Sequence, residues 1–216
     1  NLDFDLRPFY EDMKNDKIMS ELTKRLAGLK NPTTPSIFES LVDSIVEQQI
    51  SLRAAHSIET KMIKTFGSAL NIDGDVYYAY PTHEQLNNAT RDQLRECGLS
   101  FRKAEYIKDI SKAVIEEKLD LEKFKEYDDM DQIIDELCEI RGVGVWTAEL
   151  AVLRGLNKLE AIPADDIGLQ RVISHYYSEG KKISSQEVRR IAENWGKWKG
   201  LAAFYLIIAE LMDVNI

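Results

Sequence analysis

Two glycines one residue apart, Gly142 and Gly144, break a stretch of helical periodicity and constrain the fold more than any other feature of the chain. Asp128 to Glu139 on one side and Val145 to Arg154 on the other read as helices. Two helices joined through Gly142-Val143-Gly144 form a hairpin. Glycine accepts positive φ and has no Cβ, so another backbone can approach closely. The second helix also presents its first unpaired N–H groups and the positive end of its dipole, an arrangement that suits a phosphate. Alone, Gly-x-Gly reads first as a helix C-cap and tight turn between packed helices. The phosphate reading gains support from Asp165-Asp166 further along the chain.

At 216 residues with 44% apolar content, the chain is long enough to bury a substantial core without staples. Cys97 and Cys138 lie far apart and form no Cys-x-x-Cys pair, so neither a zinc site nor an iron-sulphur cluster can be built from them. His56, His83 and His175 show no metal or triad spacing and read as surface or satisfied core histidines. No segment approaches the roughly 20 apolar residues of a membrane span, and the N-terminus lacks a basic-then-apolar signal. An intracellular protein of the cytoplasm and nucleoid, or of the nucleus, with no membrane partner is expected.

The net charge of -9 argues against extensive phosphate binding, which requires Lys and Arg. The charge is unevenly spread. Acidic residues crowd Glu116 to Glu139, whereas Arg53, Lys61 and Lys64, then Arg102 and Lys103, then Lys197 and Lys199 around Trp198 are locally basic. Such a footprint, with backbone amides, is sufficient for contact with a few phosphates and predicts salt-sensitive affinity.

Helical patterns dominate the rest. Phe38, Leu41, Val42, Ile45 and Val46 form a buried stripe behind Pro35-Ser36. Leu52 to Phe66 follows, ended by Gly67; Thr82, Thr90 and Ser100 sit where N-caps belong. Ser184 to Glu187 fits a capping box, Trp195 and Trp198 pack the final helices, and Leu201 to Met212 is apolar nearly all round. No alternating strand pattern stands out, so the expected class is all-α.

With these residues in order, the chain resembles the helix-hairpin-helix superfamily of DNA base-excision glycosylases, most closely the 3-methyladenine DNA glycosylase II branch. The anchors are Phe38 to Ser51 with Ala54-Ala55, Gly98 to Ile107, the hairpin, and Pro163 to Arg171. The resemblance implies two helical subdomains with an active-site cleft between them. A six-helix subdomain over 36–160 carries the hairpin, and 1–35 plus 161–216 form the second subdomain with the catalytic Asp. The family's N-terminal β-rich domain has no counterpart in this sequence, so a minimal enzyme is expected.

The resemblance also distributes roles. Its catalytic carboxylate begins an Asp-x-x-x-x-Arg pattern that Asp166 and Arg171 satisfy and Asp165 does not; Asp165 is left as a helix cap or supporting neighbour. Without the family, Asp-Asp after Pro163 reads as an N-cap plus a solvated residue. Bifunctional members carry lysine where this chain has Trp146, so the resemblance implies base release without strand cleavage. Trp146 then walls the base pocket, or packs beside Leu150 in the core. Two pocket positions that are aromatic in the best-known member are Leu150 and Ile207 here. Tyr205, Phe9, Tyr10 and Tyr106 are aromatic candidates for the pocket and equally for the core.

For DNA, the resemblance points to Gln49 as a wedge in the space left by the flipped base and to Gln48 as a structural or DNA-contacting amide. Ser51, Lys103, Thr147 and the Gly142 and Gly144 amides complete the DNA contacts. Carbonyls of Cys138, Ile140 and Val143 map onto a Na+ or K+ site; no cofactor is required and no Fe-S cluster is expected. The implied function is a monofunctional glycosylase for alkylated bases, acting as a monomer on damaged double-stranded DNA. The rival is a non-catalytic helix-hairpin-helix DNA-binding or repair-scaffold protein, which has no need of Asp166.

Overall fold

The computed structural model describes residues 3–214. In chain order the helices α1 (Arg7–Met13), α2 (Lys17–Arg25), α3 (Ile37–Glu47) and α4 (Leu52–Phe66) precede a two-stranded antiparallel hairpin, β1 (Ala69–Ile72) and β2 (Asp75–Tyr78). Then come α5 (His83–Asn88), α6 (Arg91–Glu96), α7 (Phe101–Ile115), α8 (Met130–Cys138), α9 (Val145–Gly155), α10 (Ile167–Tyr177), α11 (Ser185–Ala192) and α12 (Lys199–Leu211). Short 3-10 turns occupy Glu122–Glu126 and Glu193–Trp198. The all-α class is borne out, and among the described residues no helix is long and apolar enough to cross a membrane.

The β-hairpin corrects the expectation of no strands. Its two-residue loop, Asp73-Gly74, has φ of +54° and +93°, the paired positive values of a type I′ turn. Every residue of both strands is exposed, so no buried face imposes an apolar/polar alternation.

The chain divides into two compact units, Pro35–Ala151 and the described residues of Asn1–Thr34 with Val152–Ile216. The second boundary falls inside α9, where the sequence reading set 160/161. In the unit Pro35–Ala151, the whole stripe Phe38, Leu41, Val42, Ile45 and Val46 of α3 is buried. α7 is the hub that packs against α3, α5 and α6 through Ala104, Ile107 and Ile110. Caps fix where these helices begin. Ser36, Ser100 and Asp129 each accept backbone N–H groups of the following turn, and Thr82 and Thr90 form complete capping boxes with Gln85 and Gln93. Each such cap contributes about 0.5–2 kcal/mol.

The other unit is built on Phe9, Met13, Met19, Leu22, Trp195 and Tyr205, all essentially inaccessible. Its buried indoles are satisfied: Trp198 Nε1 donates to Asp12 at 2.8 Å and Trp195 Nε1 to Asp16 at 3.4 Å, while Tyr177 Oη donates to Asp16 at 2.9 Å. Ser184 caps α11, but only half of its expected capping box forms, because the Glu187 carboxylate turns to Arg190. α12 is buried along Leu201, Ala202, Ala203, Tyr205, Leu206 and Ala209, half-buried at Phe204, Ile207 and Ile208, and exposed at its end at Leu211.

On α3, burial and the neighbouring Asp43 carboxylate push Glu39 up to about 7. The neutral form therefore favours the fold. As pH rises from 4.5 the unfolded chain ionises first, and stability is lost up to about pH 7. Glu39→Gln removes this loss: thermal midpoints should show the variant more stable than the parent at about pH 8, with the advantage shrinking toward pH 4.5.

Candidate nucleic-acid interface and catalytic carboxylate

The turn between α8 and α9 is closed by the Val143 N–H donating to the Ile140 carbonyl at 3.0 Å. Gly142 has φ +94°, and a Cβ there would lie 2.3 Å from the ring of Tyr106. Backbone conformation and packing both require glycine. Tyr106 is therefore a packing surface for the hairpin, which corrects its candidacy as a pocket aromatic. Arg141 stacks its guanidinium 5.3 Å from the same ring and pairs with Asp109 at 3.0 Å and Glu105 at 3.4 Å. These contacts hold the turn against α7.

Gly144 differs. Its φ is not positive, and a Cβ there would meet nothing within 4 Å. No contact of this chain explains the glycine, which leaves its exposed backbone open to approach by another molecule.

Gln48, at the end of α3, locks the hairpin from the other side. Its Nε2 donates to the Gly142 carbonyl and to Thr147 Oγ1, both at 2.9 Å. Thr147 is buried, with its hydroxyl turned to Gln48, so both groups are engaged within the protein. Lys103 is also redirected: its half-buried ammonium donates to the carbonyls of Val46 at 2.8 Å and Gln48 at 2.6 Å, and burial lowers its pKa. It caps the carbonyl end of α3, where a cation also meets the negative end of the helix dipole. Ser51 caps α4, accepting the Ala54 N–H at 3.3 Å. What the turn exposes is Gln49, with φ +55°, followed by Ile50 and Leu52.

The starts of α4, α7 and α9 are thus tied to one turn, directly or through Lys103 and Gln48. Each opens on an exposed apolar residue, Leu52, Phe101 or Val145. Helix starts carry unpaired N–H groups, so the assembly offers amide donors in place of many lysines. Trp146 is half-buried in the first turn of α9, and Leu150 is buried a turn later.

Asp166 lies in the other unit as the N-cap of α10, with Oδ1 accepting the Leu169 N–H at 2.7 Å. A Cβ on Gly168 would sit 3.0 Å from that oxygen, so glycine leaves the carboxylate its room. Asp165 is not the cap; it is exposed and lies 3.9 Å from Arg189. Arg171 pairs with Glu210 on the surface. Tyr205 is fully buried, donates to the Leu29 carbonyl at 2.9 Å and packs 5.1 Å from Phe9, so it and Phe9 are core side chains. Tyr10 accepts the Gly28 N–H at 2.8 Å, a structural contact as well. Ile207 is half-buried on α12. The signals for Tyr106 and Lys103 were present in their neighbourhoods, a ring near a glycine turn and a lysine near a helix end, but only tertiary contact reveals which neighbours they meet.

The chain matches the HhH-GPD superfamily of base excision DNA repair proteins over residues 42–197, and it belongs to that family. It is 32% identical over 206 residues to the DNA-3-methyladenine glycosylase of Bacillus subtilis, a match covering 95% of this chain and 68% of that protein. The 3-methyladenine DNA-glycosylase from Archaeoglobus fulgidus superposes with a TM-score of 0.88 at 33% identity, over 98% of this chain and 72% of that one. The fold is shared with a Clostridium acetobutylicum 8-oxoguanine glycosylase/lyase in complex with double-stranded DNA, at a TM-score of 0.86 and 24% identity, over 99% of this chain and 73% of that one. The chain spans about two thirds of the length of the curated relatives it matches.

The Gln48 contacts generate a stability order. Gln48→Ala leaves a carbonyl and a buried hydroxyl without their donor and should cost about 1–3 kcal/mol. Gln48→Glu, which puts acceptors against an acceptor, should cost more. Gln49→Gly relieves positive φ and should be neutral or stabilising by up to about 1 kcal/mol. Urea unfolding midpoints check the series.

Proposed function

We propose that this chain is a monofunctional DNA glycosylase that hydrolyses the N-glycosidic bond of alkylated, 3-methyladenine-type bases turned out of duplex DNA. The observation that carries the reading is Asp166, a carboxylate oriented by the start of α10 and given space by Gly168, in a chain of this repair family. The names of the B. subtilis and A. fulgidus relatives support the substrate class.

Breaking the bond develops positive charge on the deoxyribose, and a fixed anion stabilises that charge strongly. Asp166 also serves to orient or deprotonate the attacking water. Extruding the base costs a few kcal/mol, least for damaged pairs, so damage contributes to its own selection. Gln49 is assigned as the wedge that fills the gap. Trp146 offers an indole face to an alkylated, cationic purine and provides no amine for a covalent imine, which supports base release without lyase chemistry.

The hairpin supplies the phosphate anchor through the Gly142 and Gly144 backbone. The carbonyls of Cys138, Ile140 and Val143 are uncharged oxygen donors, a set that suits Na+ or K+ better than a divalent ion. Such an ion would add charge between the hairpin and a phosphate oxygen. The chain is assigned to act as a monomer.

Single-turnover base release from a duplex bearing 1,N6-ethenoadenine should fall by about 10²–10⁴-fold in Asp166→Asn, with DNA affinity retained. Asp165→Asn should stay near parental activity, and borohydride should trap no protein–DNA adduct. Full activity in Asp166→Asn would show that the carboxylate is wrongly assigned, and a trapped adduct would overturn the monofunctional reading.

A further inference from the structure

In the unit Pro35–Ala151, an open groove of about 640 Å³ lies between the start of α3, the segment Tyr80–Glu84, and the end of α7 with the loop after it. Its floor is apolar and aromatic: Phe38, Tyr80, Pro81, Leu119 and Leu121. Tyr80 is fixed by donating to Asp43 at 2.7 Å, and Phe38 meets His83 edge-on with ring centroids 5.7 Å apart. Its rim is acidic, with Glu39, Glu84, Glu117, Asp120 and Glu122, and no lysine or arginine is among the described residues lining it.

Part of that negative charge is already engaged. Glu122 pairs with Lys125, Glu84 meets His83 at 2.8 Å, and Asp120 accepts the Glu122 N–H at 3.0 Å. Glu39 has no cationic partner among the described residues, and burial and Asp43 push its carboxyl up to about 7. Glu117 has no cationic partner among the described residues, so the groove holds acidic charge that the chain itself does not neutralise, while Glu39 is only partly ionised near pH 7.

Helix geometry separates this groove from the hairpin. It lies at the start of α3 and the end of α7, whereas Gln48 and Lys103 sit at the opposite ends of the same helices. With 15 residues in α7, those ends are roughly 20 Å apart. The acidic rim disfavours phosphate. Strand β2 also runs directly into its wall at Tyr80, and the hairpin leaves Leu70, Ile72, Val76, Tyr77 and Tyr78 exposed. Exposed apolar surface of this extent beside a groove marks a protein-interaction site.

We propose that this groove docks a short lysine- and arginine-rich segment of a partner protein, with one large apolar side chain seated against Phe38, Tyr80 and Leu121 and basic groups meeting Glu39, Glu84 and Glu117. Charge complementarity selects a basic chain, and the apolar floor selects a segment with a side-chain anchor over a bare polycation. The reading is independent of the reaction assigned to Asp166.

Fluorescence anisotropy with the full chain at about 0.15 M salt tests it. The probe is a labelled basic peptide carrying a single leucine, compared with the same peptide with serine in its place. Saturable binding is expected, weakened about tenfold or more in Glu84→Lys/Glu117→Lys and by the serine peptide. It should change less than about twofold in Glu11→Lys/Glu179→Lys, which alters net charge equally in the other unit. Base release should be unchanged in all variants. Equal losses in both double variants, no dependence on the leucine, or no saturable binding would overturn the proposal. So would sedimentation showing a second copy of the chain competing for the groove.

Discussion

One side-chain nitrogen, Nε2 of Gln48, ties the end of α3 to both sides of the hairpin by donating to the Gly142 carbonyl and Thr147 Oγ1. The Thr147 hydroxyl is buried, so loss of the donor leaves it without its partner. Lys103 reinforces the tie from α7 by holding the last carbonyls of α3, and Tyr106 fills the place a side chain on residue 142 would take. The turn 48–51 and the hairpin are consequently tied together by these side chains. Their exposed features are backbone amides, the strained Gln49 and a few apolar side chains.

The chain carries a net charge of -9 and belongs to a DNA-repair family. Amide donors at helix starts are directional in a way that a mobile lysine is not. Glu84, Glu117, Asp120 and Glu122 line the groove at the far ends of α3 and α7, while Glu105 and Asp109 pair with Arg141 at the hairpin.

Much of this was legible in the sequence. Local chemistry announced itself: the α3 stripe, the caps at Thr82, Thr90 and Ser100, the hairpin glycines and the Asp-x-x-x-x-Arg pattern at Asp166. The Asp73-Gly74 turn was present too, but the strands beside it have no buried face and so no alternation to detect. Less legible were polar side chains whose roles depend on distant neighbours. Thr147 and Lys103 fit DNA contacts by sequence and Gln48 fits either a structural or a DNA-contacting amide; each is engaged within the protein. Asp165 and Asp166 are adjacent, and backbone geometry alone decides that the second caps α10 while the first meets Arg189. Tyr205 has the composition of a pocket aromatic and the contacts of a core residue.

The most direct test of the account is product analysis with the unaltered chain on a duplex carrying a single 3-methyladenine, resolving free base from DNA and intact from nicked strands. Free 3-methyladenine should be released above the spontaneous rate, leaving an abasic strand that stays whole until it is treated with alkali. No base release above the spontaneous rate, or a strand nicked as the base departs, would contradict it.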